Sequence, residues 1–249
     1  MQKNSFLNYS TEHVHFYGTD IPRLLEMGLT LTTKSLKEFN LLDLGCGDGG
    51  LIFALHHKGF LANAGKIVGV DISKKRIERL QNNLRFVKGI VADALDVRQL
   101  PSRSFDFVVC AQLIEHVEND RALVREIGRL LKHGGFAFVS SVIKKWWGLY
   151  IYFNHGSFRL DPTHVREYAS KQELLDVFAH EELEIVKVQT EPVRFPIADA
   201  LVRMSIRVGL MQPDAEFYQT HKGLNRLRRL KMEVPGYQIV EVLAKKTRV

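Results

Sequence analysis

The run Leu41-Leu42-Asp43-Leu44-Gly45-Cys46-Gly47-Asp48-Gly49-Gly50 decides the fold of this chain. Its first four residues read as a buried strand. Glycine then takes every second position, and Leu51-Ile52-Phe53-Ala54-Leu55 reads as the opening of a helix. Strand, glycine turn and helix make the first half of a nucleotide-type cofactor site. Glycine is needed there because a Cβ would block the approach of backbone to ligand, and because a tight turn can demand a positive φ.

Outward from this run, strands and helices alternate. Strands are expected over 41–44, 66–70, 85–91, 105–111 and 136–142, with helices over 50–58, 74–83 and 120–132. Gly59 and the Gly134-Gly135 pair are placed to cap the first and last of these helices. The strands are nearly continuous apolar runs; in Phe105-Asp106-Phe107-Val108-Val109 only Asp106 interrupts. Such runs belong to strands covered on both faces, and so to a parallel sheet. Alternation with helices makes the sheet doubly wound α/β. Residues 183–193 and 237–245 read as a sixth and a seventh strand. Ser170 opens a helix running to about residue 179, with Glu173 at capping-box spacing. The expected organisation is a single domain over 1–249. It comprises an N-terminal helical extension (1–40), an aromatic lid segment (143–169) and a mostly helical insertion between strands six and seven (196–235).

The chain has 249 residues, 45% of them hydrophobic and 25% charged, which suits one large α/β unit. Its two cysteines, Cys46 and Cys110, have neither disulfide-framework nor metal-ligand spacing, which points to a reducing, cytoplasmic compartment. No signal peptide is expected, and no apolar run reaches the ~18 residues of a membrane span. His13 and His15, two apart, are poorly spaced for a helical metal pair, and no metal is expected. The net charge is +7, and from Arg194 onward 11 basic residues face 5 acidic ones. That excess is either a solvated surface or a face for anionic lipid, nucleic acid or an acidic substrate.

Strand two ends Val68-Gly69-Val70-Asp71. A carboxylate at that tip lies beside the glycine turn and can accept hydrogen bonds from both hydroxyls of a ribose. Strand three is followed by Ala92-Asp93-Ala94, where a carboxylate either reaches an adenine amine or caps a short helix. Gly45, Gly47 and Gly49 make a G-x-G-x-G turn. Gly50 also supplies the third glycine of the dinucleotide fingerprint, so the turn by itself fits both classes.

Six motifs in order resolve this. The stretch 42–49, Gly69-Val70-Asp71-Ile72-Ser73, Ala92-Asp93-Ala94, Phe105-Asp106-Phe107-Val108-Val109-Cys110, Leu113-Ile114-Glu115-His116-Val117 and Leu130-Leu131-Lys132-His133-Gly134-Gly135 together resemble class I S-adenosylmethionine-dependent methyltransferases of the small-molecule type. The resemblance covers residues 40–142 well and the last two strands loosely. It implies a Rossmann-like, mostly parallel seven-stranded sheet of order 3-2-1-4-5-7-6 with strand 7 antiparallel, and S-adenosyl-L-methionine as cofactor. By carry-over, Asp43 anchors the turn and, through water, the cofactor's amino group. Gly45, Cys46 and Gly47 face the methionine part. Asp71 holds the ribose, Ile72 packs on adenine, and Asp93 and Ala94 meet the adenine edge. Cys110, Ala111 and Gln112 lie near the sulfonium.

His116 is the leading candidate base, since imidazole takes a proton near neutral pH; the alternative is a helix cap or a loop brace. His164, in the lid, is the second, with a loop-bracing alternative. Arg166 and Tyr168 suit an anionic or aromatic acceptor, and Tyr9, Phe16 and Tyr17 suit closure over the cofactor. Trp146, Trp147, Tyr150, Tyr152 and Phe153 follow Lys144-Lys145 and form an acceptor pocket, a membrane-dipping patch or a packed flap. Ile197, Leu201, Met204, Ile206, Val208 and Leu210, interleaved with Arg203 and Arg207, form a basic amphipathic stretch.

The favoured function is methyl transfer to an O- or N-nucleophile of a small-molecule or lipid-like acceptor, with peripheral membrane contact left open. The alternatives are an RNA methyltransferase using residues 223–231 as a phosphate patch, and a non-catalytic cofactor-binding partner subunit. Nucleic acid is the weaker partner: no separate RNA-binding module is visible, and the aromatics cluster away from the arginines.

Overall fold

The computed structural model describes residues 17–148, 152–154, 157–161, 163–179, 181–196, 202, 205, 210, 221–227 and 230–247. Helix α1 (Arg23–Ser35) precedes β1 (Phe39–Leu44), α2 (Gly50–His57), β2 (Ala64–Asp71), α3 (Lys74–Asn83), β3 (Lys88–Val91) and β4 (Phe105–Ala111). Then come a 3₁₀ turn (Ile114–His116), α4 (Asp120–Leu130) and β5 (Leu131–Lys144). A small hairpin of β6 (Tyr152–Asn154) and β7 (Ser157–Arg159), helix α5 (Lys171–Leu175), β8 (Leu183–Pro196), α6 (Lys222–Leu227) and β9 (Lys231–Lys246) follow.

The main sheet runs β3-β2-β1-β4-β5-β9-β8. Pairing is parallel from β3 to β5, and β9 is antiparallel to both of its neighbours. With β8 and β9 as the sixth and seventh strands, this is the expected 3-2-1-4-5-7-6 order.

Successive residues of each central strand enter different cores. Leu42, Leu44, Val68, Val70, Val108, Cys110 and Val139 join Val124 and Ile127 of α4 on one face. Leu41, Ile67, Phe107, Val109 and Phe138 join Leu25, Leu29, Ile52, Phe53 and Leu80 of α1, α2 and α3 on the other. Burial on both sides is why these strands read as unbroken apolar runs.

The helix ends follow local chemistry. Ser73 and Asn119 cap α3 and α4, their side chains accepting from Arg76 N and Ala122 N. Gly59, at φ +79°, ends α2 as expected. Its N–H reaches the His56 carbonyl and that of Phe60 the Leu55 carbonyl, the paired bonds of a Schellman motif. Gly134-Gly135 does not cap α4. That helix stops at Leu130, and Leu131 already pairs with Phe105. The glycines lie in the bulge between Leu131 and Phe136, where the register against β4 shifts. Ser170 accepts from Glu173 N, but Glu173 reaches back to Ala169 N, and α5 gives way at Asp176 to a 3₁₀ turn. Strand β9 begins at Lys231, so the segment between the last two strands is shorter than the expected 196–235.

Candidate active site

Parallel pairing brings the carboxyl ends of β1, β2 and β4 to one edge, where a doubly wound sheet offers its crevice. The turn after β1 is tied to β2: Gly45 N and Cys46 N both donate to the Val70 carbonyl, at 2.8 and 3.0 Å. Gly45 sits at φ +75°, and a Cβ there would lie 2.9 Å from Leu113 Cδ1. Its bare backbone therefore serves both the left-handed turn and the close approach of the loop after β4. Gly47 and Gly49 also have positive φ, at 55° and 87°.

Asp71 is buried at the tip of β2. Its Oδ2 accepts Gly47 N (3.1 Å), its Oδ1 accepts Ser73 N (2.8 Å), and Arg76 Nη1 stands 4.0 Å away. A carboxylate has about four acceptor positions. The two N–H bonds fix the turn against β2, and two positions remain for a ligand. Burial raises the Asp71 pKa, opposed by these bonds and by Arg76. Asp43, buried in β1, is pushed up to about 8, first by burial and then by Asp71. Two buried carboxyls that resist joint ionisation form a well suited to a positively charged ligand.

Asp48 was not singled out by sequence, and it holds the turn. Arg79 Nη2 donates to its Oδ1 at 3.0 Å. Tyr17 donates to the Asp48 carbonyl (2.8 Å) and accepts from Asn83 Nδ2 (2.7 Å). Tyr17 is thus a buried brace of the turn; Tyr9, Phe16, His13 and His15 lie outside the described residues.

Ile72 is half-buried next to Asp71. Asp93 caps the turn after β3, its Oδ1 accepting Leu95 N at 3.1 Å, and Ala94 is buried behind it. Cys46 and Cys110 are enclosed in the two cores, and burial raises both thiols. Both therefore support the crevice from below. Gln112, by contrast, is exposed, with φ +53°, a left-handed backbone uncommon outside glycine. It is held there by Gln112 N donating to the Ser140 carbonyl (3.0 Å) and Gln112 Nε2 to Ser140 Oγ (3.2 Å).

Beyond Gln112 the 3₁₀ turn carries Glu115 and His116. Val165 N and Arg166 N donate to the Glu115 carbonyl, docking the segment after β7 onto the turn. His164, buried in that segment, meets His116 edge to face with ring centroids 4.8 Å apart. Glu115, His116 and His164 offer ligand-type atoms all within 4.8 Å of one another. Burial and then His164 lower His116 to about 4, so the ring is uncharged at neutral pH and a weaker base than an ordinary imidazole. Burial raises Glu115 to about 7, against the pull of His164. Arg166 and Tyr168 both engage Asp120, Arg166 Nη1 at 2.8 Å and the Tyr168 hydroxyl at 3.0 Å. Sequence reasoning left Glu115 without a role; its isolation becomes visible only once His164 is folded against it.

A family model described as "Methyltransferase domain" matches residues 42–139. The chain is 29% identical to the uncharacterized methyltransferase YcgJ of Bacillus subtilis (strain 168) over 190 residues, 73% of this chain and 69% of that protein. It is 33% identical to a ubiquinone biosynthesis O-methyltransferase of Neisseria meningitidis over 109 residues, 42% of this chain and 44% of that enzyme. Among solved structures, the geranyl diphosphate C-methyltransferase of Streptomyces coelicolor A3(2), in complex with Mg2+, geranyl-S-thiolodiphosphate and S-adenosyl-L-homocysteine, superposes with a TM-score of 0.57. The match has 15% identity and covers 99% of this chain and 98% of that one.

Proposed function

From the premise that this chain belongs to the class I S-adenosylmethionine-dependent methyltransferases, we propose that it methylates an oxygen or nitrogen of a small-molecule or lipid-like acceptor seated between Gln112 and the segment after β5. S-adenosyl-L-methionine is the methyl donor of this enzyme. The observation that carries the assignment of its seat is the pair of buried carboxyls, Asp43 and Asp71, flanking a turn in which a side chain at Gly45 would be strained and would crowd Leu113.

When bound, the donor supplies an electrophilic methyl on a sulfonium, and the chain supplies alignment and charge. Asp71 would give its two remaining acceptor positions to the ribose hydroxyls. Asp43 would face the amino group, while the backbone of Gly45, Cys46 and Gly47 would line the methionine part. Ile72 would pack on the adenine, with Asp93 and Ala94 at its edge. Cys110 would back the methyl end and Gln112 would border it. His116 and His164 would stand on the acceptor side, as the groups there that can act on an acceptor's proton.

An apolar surface at the same end of the sheet supports the lipid-like choice. Trp146 is 94% and Trp147 50% exposed at the end of β5, and Phe195 pairs with the 67% exposed Met232 across β8 and β9. Lys145 N donates to the Gly236 carbonyl, which joins these two parts of the surface. Exposed Leu227 and Leu230 extend the apolar character of the segment before β9. No helix of the described residues is long and apolar enough to cross a membrane. Contact at a membrane surface agrees with this arrangement, and the unpaired Cys46 and Cys110 agree with a reducing, cytoplasmic setting. The test is methyl transfer from labelled donor to phenolic, lipid and RNA pools, each with and without anionic vesicles. Labelling of the phenolic or lipid pool, enhanced by vesicles, is expected; labelling of RNA alone would overturn the acceptor assignment.

A further inference from the structure

We infer that Glu115, His116 and His164 form a binding site for one divalent cation of borderline hardness, of the Zn2+ or Co2+ class, on the acceptor side of the crevice. The three ligand atoms lie within 4.8 Å of one another. The role given to the ion rests on the methyl-transfer reading, whereas its binding does not.

Proton bookkeeping around the two rings carries the argument. The Thr163 hydroxyl has one proton, and it goes to Asp161 Oδ1 at 2.5 Å, because a carboxylate only accepts. The 3.0 Å contact between Thr163 Oγ1 and His116 Nδ1 must then use a proton on the ring nitrogen. In a neutral imidazole this leaves the lone pair on Nε2. His164 is set the same way: its Nδ1 lies 3.0 Å from Glu167 Oε1, which also accepts Leu160 N. When neutral, both rings therefore keep their lone pair on Nε2, each anchored at Nδ1 by a carboxylate, directly or through a hydroxyl. Metal-binding histidines are oriented by this kind of outer contact.

The third donor points independently to a cation. Glu115 is fully buried; its Oε2 accepts from Ser141 Oγ at 2.9 Å, while its Oε1 has no hydrogen-bond partner among the described residues. A buried carboxylate oxygen left unsatisfied is costly, and a cation would remove that cost. Two imidazoles and one carboxylate suit zinc-like ions better than Mg2+ or Ca2+, which favour oxygen-only shells. Tetrahedral coordination at about 2.0–2.2 Å places donors roughly 3.4 Å apart. The side chains would therefore close in by about an ångström or a little more. Three protein donors leave a position for an acceptor oxygen, whose O–H would then lose its proton to solvent more readily. The two imidazoles would in that way act on the acceptor through the ion.

Calorimetric titration of chelator-stripped protein with Zn2+, and visible absorption on adding Co2+, test this without any turnover. One ion per chain is expected, with Co2+ bands typical of mixed nitrogen and oxygen donors. His164→Ala and His116→Ala should abolish uptake, and Thr163→Val, which keeps both rings but removes the anchoring hydroxyl, should weaken it about 10–100-fold. His133→Ala, whose ring contacts the Thr247 carbonyl elsewhere, should change nothing. Absence of stoichiometric uptake, or uptake undiminished in the His116, His164 and Thr163 variants, would overturn the site. S-adenosylhomocysteine binding, measured on the same stripped protein, reports the donor seat separately, so failure of either site is read independently.

Discussion

Cofactor binding should expel a proton from Asp43. In the ligand-free protein, burial and Asp71 hold this carboxyl at about 8. At pH 7 it is therefore about nine-tenths protonated. Pairing with a cationic amino group favours the ionised form and lowers a carboxyl by about 1–3 units. With a shift of about two units, to about 6, binding at pH 7 releases about 0.8 proton. The sign follows directly: the proton must leave before the pair forms, so affinity rises as pH rises through this window. Between pH 6 and pH 8 the same shift predicts about 25-fold tighter binding, or about 1.9 kcal/mol.

The assay is calorimetric titration of S-adenosylhomocysteine at pH 7 in buffers of differing ionisation enthalpy, for the wild type and Asp43→Asn. Ionisation of the ligand itself is common to both proteins and cancels in the difference. A wild-type release exceeding that of Asp43→Asn by about 0.8 proton is expected. Equal release from the two proteins, or wild-type affinity falling from pH 6 to 8, would refute the reasoning.

Asp71→Ala should weaken S-adenosylhomocysteine binding by about 1–3 kcal/mol, the scale of lost charge-assisted hydrogen bonds. Because Asp71 also holds Gly47 N and Ser73 N, thermal unfolding should report a second loss; calorimetry checks the first. Gly45→Ala places a Cβ at φ +75° and 2.9 Å from Leu113, and should cost about 1–3 kcal/mol in urea unfolding together with donor affinity. Gln112→Gly should relieve the left-handed backbone and raise stability by about 1 kcal/mol, while methyl transfer falls because the side chain bordering the methyl end, with its Nε2 bond to Ser140 Oγ, is removed; denaturation and turnover are measured side by side.

The sheet was legible because its strands are buried on both faces, and residues such as Phe107 and Val108 announce that burial without alternation. The polar start of β9 hid its true length. Lys231-Met232-Glu233, followed by Pro235, falls within the mostly helical insertion expected over 196–235, yet it pairs with the end of β8, helped by Arg194 bonding Glu233. The α4 boundary was misplaced because Leu131, apolar in either state, is taken by the pairing with Phe105. In the site, Asp71 was legible from its place at a strand tip. Asp48 was not, since its partners Arg79 and Tyr17 come from other elements. Nor was the meeting of Glu115, His116 and His164, which depends on the segment after β7 folding back to the Glu115 carbonyl.

A crystal structure with S-adenosylhomocysteine tests the donor seat most directly. The expected density has both ribose hydroxyls within hydrogen-bond distance of Asp71, the amino-acid end along the backbone of residues 45–47 and the vacant methyl position opening toward Gln112. A nucleoside found elsewhere, or a ribose that leaves the Asp71 carboxylate with only its contacts to Gly47, Ser73 and Arg76, would contradict it.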